Sequence, residues 1–188
     1  MTRYRQMTAR AVGAVLLATA LVGSASAPVA FSRPGLITSV GQSSDIAIVK
    51  VLLNTQLKLG LEYKPTAAAA DLAGMKSLVL VVGASTKGLG AAGLDMEKEI
   101  ARTRALLKAA KAAAVKILVL HTGGEARRGK TSNDLIDIVV PEADYVVVVA
   151  AGSKDKVFNT LAGRRGTPVI EVEKIAAAGD AVKAVFKN

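Results

Sequence analysis

Apolar runs and amphipathic stretches alternate along the chain, and the spacing of the apolar residues changes from one stretch to the next. Gly35–Val40 reads as a short strand. After it, Ser43, Ser44 or Asp45 can cap a helix whose apolar face is Ile46, Val49, Leu52, Leu53 and Leu57 and which Gly60 ends. Residues 61–64 form a second strand. Its Leu61 and Tyr63 alternate with Glu62 and Lys64, and Pro65 stops it, as at a sheet edge. AAAADLAG, residues 67–74, gives a short helical crossover. Residues 77–84 are apolar almost throughout, the pattern of a strand buried on both faces.

The glycine-rich stretch STKGLGAAGLD, residues 85–95, predicts a loop. Asp95 then caps a long helix over about 96–114. Glu97 and Glu99 lie in its first turn and Lys108 and Lys111 near its end, which complements the helix dipole. Lys116–His121 is a fourth strand. A helix over about 133–140 follows and is ended by Pro141. Residues 145–150 (YVVVVA) form a central strand, a helix runs to about Gly163, and residues 168–172 form a last strand with Glu171 and Glu173 marking an edge. A terminal helix closes the chain.

This alternation, with every connection short, predicts one α/β domain built as a three-layer, doubly wound parallel sheet, flavodoxin-like or Rossmann-like, with strand order about 2-1-3-4-5-6. In such sheets ligands bind beyond the carboxyl ends of the strands, where the winding reverses. Here that reversal falls between the first and third strands. The loops over 41–45 and 84–95 flank it, and the loop over 121–133 lies next along the sheet.

Composition adds limits. The 188 residues suit a single domain, and 51% hydrophobic against 21% charged residues describes a globular chain. Aromatics are 3%, which argues against binding single-stranded nucleic acid through stacking. No nucleic acid is expected as a partner. Absence of cysteine excludes disulfides, thiol catalysis and thiolate metal sites. With one histidine besides, no metal site is expected.

Residues 1–27 read as a secretory signal peptide, followed by one domain over 28–188. MTRYRQMTAR is basic, AVGAVLLATALVG is apolar, and GSASA offers small residues for cleavage after Ala25 or Ala27. The arginines read R-Y-R, so a twin-arginine signal is missing. The expected location is periplasmic or extracellular. The alternative is an uncleaved leader, the only route by which a membrane enters the expectation. Net charge is +10, and Arg3, Arg5 and Arg10 belong to the leader, so the domain carries +7. A basic surface favours anionic partners. The plainer reading is a well-solvated surface, since the cations form no long run.

Two motif matches invite cofactor readings and neither carries one. GEARRGKT, residues 124–131, fits the phosphate-binding G-x-x-x-x-G-K-[ST] pattern. Its variable positions hold bulky residues, no later strand ends in a magnesium-binding Asp, and an exported chain meets little nucleotide triphosphate. GLGAAG, residues 88–93, fits G-x-G-x-x-G, but its strand ends too early for the dinucleotide turn and the next strand ends in His121-Thr122-Gly123, not an acid. No cofactor is predicted.

His121, the lone histidine, stands at a strand's carboxyl end, as a general base or a ligand donor would, or as a satisfied buried side chain. Ser85, His121 and Glu125 offer a nucleophile, a base and an orienter, although Gly83-Ala84-Ser85 is not the G-x-S-x-G elbow. Arg127 and Arg128 have the fork geometry that clamps a carboxylate or phosphate, and Lys87 and Lys154 are lesser candidates. Asp45, Asp95 and Asp134 read as helix caps rather than metal ligands.

STKGLGAAGLD, then GGEARRG, then ADYVVVV, together resemble an uncharacterised bacterial family of exported single-domain proteins, a domain of unknown function, over most of the chain from about Leu36. The resemblance implies export and an α/β domain, and no activity.

The leading expectation is an exported binding module for a small anionic ligand. Its pocket would be made by Ser43, Ser44, Ser85, Thr86, Lys87, Gly88, His121, Gly123, Gly124, Glu125, Arg127 and Arg128, with backbone amides at helix N-termini and the arginines holding the anion. One alternative is a hydrolase or transferase on an anionic substrate with His121 as base. The other is an envelope-interaction protein without pocket chemistry.

Overall fold

The computed structural model describes residues 29–187. The expected signal peptide and its cleavage sites lie outside the described residues. Strands β1 (Gly35–Val40), β2 (Glu62–Tyr63), β3 (Ser77–Val82), β4 (Lys116–His121), β5 (Tyr145–Val149) and β6 (Val169–Val172) form one sheet in the order β2-β1-β3-β4-β5-β6. Every pair is parallel, with Gly35 opposite Ser77 and Leu118 opposite Tyr145 fixing the central registers.

The helices are α1 (Asp45–Lys50), α2 (Thr86–Ala91), α3 (Met96–Ala112), α4 (Lys130–Val139), α5 (Val157–Gly163) and α6 (Ile175–Val185). Side chains alternate across a strand, so each strand feeds two cores. Leu36, Leu78, Leu80, Val82, Val119 and Val146 pack with Leu106, Leu135 and Phe158 of α3, α4 and α5. Ile37, Val79, Val81, Leu118, Leu120 and Val147 pack with Ile46, Val49 and Val182 of α1 and α6. This is the expected three-layer, doubly wound α/β architecture, with the winding reversing between β1 and β3. Among the described residues no helix is long and apolar enough to cross a membrane.

Several local expectations need correction. The glycine stretch is not an open loop: α2 forms inside it. Ser85 caps that helix by accepting a bond from the Gly88 N–H at 3.1 Å. Gly88 packs so closely on the chain after β1 that a Cβ there would sit 1.9 Å from the Gln42 carbonyl oxygen. Tertiary contact thus overrides the poor helix propensity of glycine. Helix α4 starts three residues early, at Lys130, because Gly129 (φ 136) turns the chain and accepts the Asn133 N–H at 2.8 Å. Asp134 therefore lies inside the helix, paired with Lys130, and caps nothing. Asp95 does cap α3, accepting the Lys98 N–H at 2.8 Å.

At α1 no side chain caps. Ser44 occupies the capping position in a helical conformation, and Asp45 is engaged elsewhere. That helix continues as a π-helical stretch, Val51–Gln56, whose Asn54 binds both main-chain groups of Leu61 at 2.7 and 2.9 Å and so sets the return into β2. The crossover after β2 is a 3-10 turn, Ala69–Leu72.

Candidate functional site

The segments leaving β1, β3 and β4 meet at the winding reversal. After β1, Gly41 adopts φ +100, and a Cβ there would lie 2.6 Å from the Gly83 carbonyl oxygen, so only glycine lets the two segments touch. Main-chain bonds join them: Gly83 N–H donates to Val40 O at 2.9 Å and Ser85 N–H to Gly41 O at 2.8 Å. The Ala84 N–H donates to Ser132 Oγ at 2.9 Å, which ties in α4.

Beneath the first loop lies a charged pair that sequence reading missed. Glu99 is fully buried. Its Oε1 accepts bonds from the Gly41 N–H (2.7 Å), Gln42 Nε2 (3.2 Å) and Arg102 Nη2 (2.8 Å), and its Oε2 accepts from Arg102 Nε (2.8 Å). Arg102 also donates to the carbonyls of Ala67 and Ser39. Burial works against the Glu99 charge, but the bonds from Arg102 and Gly41 and the arginine's charge outweigh it and hold the carboxyl below its ordinary value of 4.5. The available signal was a glutamate on the buried stripe of α3, in phase with Thr103, Leu106 and Ala110.

Above the loop, Asp45, Ser43, Ser44, Gly83, Gly123 and Arg127 converge. The Ser43 hydroxyl donates to Asp45 Oδ2 at 3.0 Å. Arg127 Nε lies 3.3 Å from the same oxygen, and its Nη2 donates to Ser44 Oγ at 3.4 Å. A Cβ on Gly123 would fall 2.0 Å from Arg127 Cγ and 2.6 Å from Asp45 Oδ2, so the missing side chain is the space the arginine crosses. The Arg127 side chain stays 30% exposed. Thr122 is buried beside Gly123, and its hydroxyl has no partner among the described residues. Asp45, expected as a helix cap, is the acid of this crevice.

The other predicted residues do not all join. Ser85 Oγ is engaged by the Gly88 amide at the start of α2, which also carries Thr86 and Lys87. His121 is fully buried against Phe158, with ring centroids 5.2 Å apart. Its Nδ1 faces Val82 O at 3.0 Å and its Nε2 faces Gly124 O at 3.2 Å. Burial pushes the imidazole below its ordinary 6.5. The two carbonyls pull the other way and are outweighed, while Arg128 adds to the depression. Both ring nitrogens of His121 are thus taken up by main-chain carbonyls, and neither Ser85 nor Glu125 is among its partners.

Arg128, the neighbour of Arg127, faces β5 instead. It meets the Asp155 carboxylate with two bonds (3.0 and 2.7 Å), donates to Gly152 O and to Asn133 Oδ1 (2.8 Å), and lies 5.7 Å from the Phe158 ring centre. The bonds from Arg128 pull the Asp155 carboxyl down to about 2. Gly124 forms the turn under this strap, and Glu125 pairs with Lys154 at the surface at 2.5 Å. Glu125, Arg128, Gly152, Lys154 and Asp155 rim a cavity of about 200 Å³. The twelve-residue pocket expected from sequence is thus divided. Ser43, Ser44, Gly123 and Arg127 share one crevice, Ser85 to Gly88 form a short helix beside it, His121 lies below, and Glu125 and Arg128 belong to the β5 side. Among the described residues no group of three acidic or histidine side chains could hold a metal ion.

The model of a family described as "Domain of unknown function (DUF6305)" matches residues 32–186. A search of curated proteins finds no match. The chain belongs to the DUF6305 family.

Proposed function

We propose that this member of a family of unknown function is an exported module that binds a small anionic ligand in the crevice where β1, β3 and β4 end. One observation carries the reading. Arg127 stands at the winding reversal with its guanidinium partly exposed, over the bare backbone of Gly123 and held by two long contacts, to Asp45 and Ser44. A guanidinium presents five donors in a rigid fork, so most of its capacity is open to a carboxylate or phosphate. Thr122 supports the same reading with a buried, unpartnered hydroxyl next to the crevice. Asp45 and Ser43 suit a hydroxyl or amine beside the ligand's anionic group. Arg128 positions the loop and takes no part in binding.

A thermal-shift series of the full chain against inorganic phosphate, hydroxy acids and nucleoside phosphates tests this. An anion that binds raises the melting temperature with concentration, by RT ln(1 + [L]/Kd). Arg127→Ala is expected to abolish that rise. Arg128→Ala should lower the starting temperature and keep the rise. Equal stabilisation in wild type and Arg127→Ala would overturn the assignment. Export follows from the leader, and amino-terminal sequencing of protein recovered outside the cytoplasm tests it, with cleavage expected after Ala25 or Ala27.

A further inference from the structure

The charges of the domain are segregated along the strand direction. Residues leading into the strands gather at the amino ends of the parallel sheet and are joined there by main-chain bonds. Lys76 N–H donates to Pro34 O at 2.7 Å, Lys116 N–H to Lys76 O at 3.0 Å, and Lys187 N–H to Phe31 O at 3.0 Å. Arg33, Lys76, Lys116, Arg164, Arg165 and Lys187 are all exposed at this pole. Among the described residues the acids paired with cations of this pole are Glu142 and Asp144, and Glu62 lies exposed at the start of β2. Asp144 takes Lys116 at 2.9 Å, and Glu142 takes Lys111 and, at 3.7 Å, Arg165. At the carboxyl pole most cations meet an acid, Asp45 with Arg127, Asp155 with Arg128, Glu125 with Lys154 and Glu171 with Lys156, while Lys87 and Lys174 are exposed beside Glu97 and Glu173, acids of the same pole.

The chain also enters at the basic pole. Phe31 N–H donates to Val185 O at 2.8 Å, and the Phe31 ring stacks on Phe186 with centroids 5.5 Å apart. Phe31, and with it the start of the described chain, therefore lies at the same pole as Arg33, Lys76 and Lys187.

We propose that this pole docks on the anionic headgroups of a lipid bilayer, with the Arg127 crevice turned away toward solvent. The cations span the ends of β1, β3, β4 and β6, about 20 Å at ordinary strand spacing, which matches several headgroups rather than one phosphate. Each Lys or Arg held near an anionic leaflet tightens binding roughly fivefold. The proposal is independent of what the crevice binds.

Sedimentation of the full chain with phosphatidylcholine vesicles, with and without phosphatidylglycerol, tests it. A variant with Arg33, Lys76, Arg164, Arg165 and Lys187 changed to Gln is compared with one that loses as many charges at the other pole, at Lys87, Lys98, Lys130, Lys154 and Lys174. The leader and its arginines are common to all three chains. On phosphatidylglycerol vesicles the first variant is expected to bind roughly tenfold more weakly or worse, and the second within about twofold of wild type. Near 1 M salt the difference should vanish. Equal weakening of both variants would reduce the effect to net charge and overturn the proposal. Equal wild-type binding to both vesicle types, or a loss that survives 1 M salt, would do the same. Should the fivefold variant unfold, Arg164→Glu with Arg165→Glu, compared with Lys98→Glu with Lys130→Glu, makes the same comparison with two exposed side chains each.

Discussion

The two ends of the sheet solve opposite problems with the same residue types. At the carboxyl end three loops crowd together over β1, β3 and β4, and the charge taken out of water there has to be matched, as Glu99 is by Arg102. Asp45 with Arg127 and Asp155 with Arg128 are pairs at its partly exposed rim. At the amino end Arg33, Lys76 and Arg164 are exposed, stand in none of the ion pairs among the described residues, and remain open to an outside partner. A charge is informative in proportion to what it costs to hold it there. The buried Glu99–Arg102 pair speaks of architecture, and the exposed cations, with the half-open Arg127, speak of partners.

The largest test of that contrast is Glu99→Ala. It strands Arg102 and leaves the Gly41 N–H without its acceptor, and urea unfolding should show a loss of about 3–5 kcal/mol. Glu142→Ala, at the wet end, should move the urea midpoint far less. Similar losses at both ends would break the comparison. Next come the glycines. Gly123→Ala pushes a Cβ into Arg127 and Asp45 and should cost about 2 kcal/mol, with loss of any anion-dependent stabilisation. Gly166→Ala at the amino end meets no neighbouring atom, and its positive φ alone should cost about 1 kcal/mol.

A smaller effect separates the ends by pH. His121 has a folded pKa below its unfolded value of 6.5, so protons favour the unfolded chain. Stability should hold above pH 6.5 and fall as the pH drops below it, in urea midpoints measured across that range. His121→Gln should flatten this part of the profile. A second loss, from Glu99, should begin below 4.5 and continue as the pH falls through its depressed folded value. Smallest of all, Lys116→Ala breaks an exposed pair with Asp144 and should leave the midpoint unchanged.

The neighbouring arginines show how far the candidate site was legible. GGEARRG announces two guanidiniums on a loop past a strand, and both could clamp an anion. Nothing in the local pattern says that Arg127 turns to β1 and Arg128 to β5. Their partners, Asp45 and Asp155, lie far from them along the chain, and only the docking of segments from different strands decides which is met. Asp45 itself reads locally as a cap, because a short acid before an apolar periodic stretch has that meaning in isolation. The glycine stretch misleads in the same way. Its composition predicts a loop, yet contact with Gln42 stabilises a helix through it.

By itself, the sequence determined the sheet. Alternating runs of apolar residues have to be buried on both faces, and short right-handed crossovers leave few strand orders, so β2-β1-β3-β4-β5-β6 follows from pattern and connectivity alone. Tertiary structure decided the charges. Whether an arginine, a glutamate or the lone histidine is buried, paired or open depends on which loop ends beside it, and that juxtaposition is set by the packed sheet rather than by neighbours in the chain.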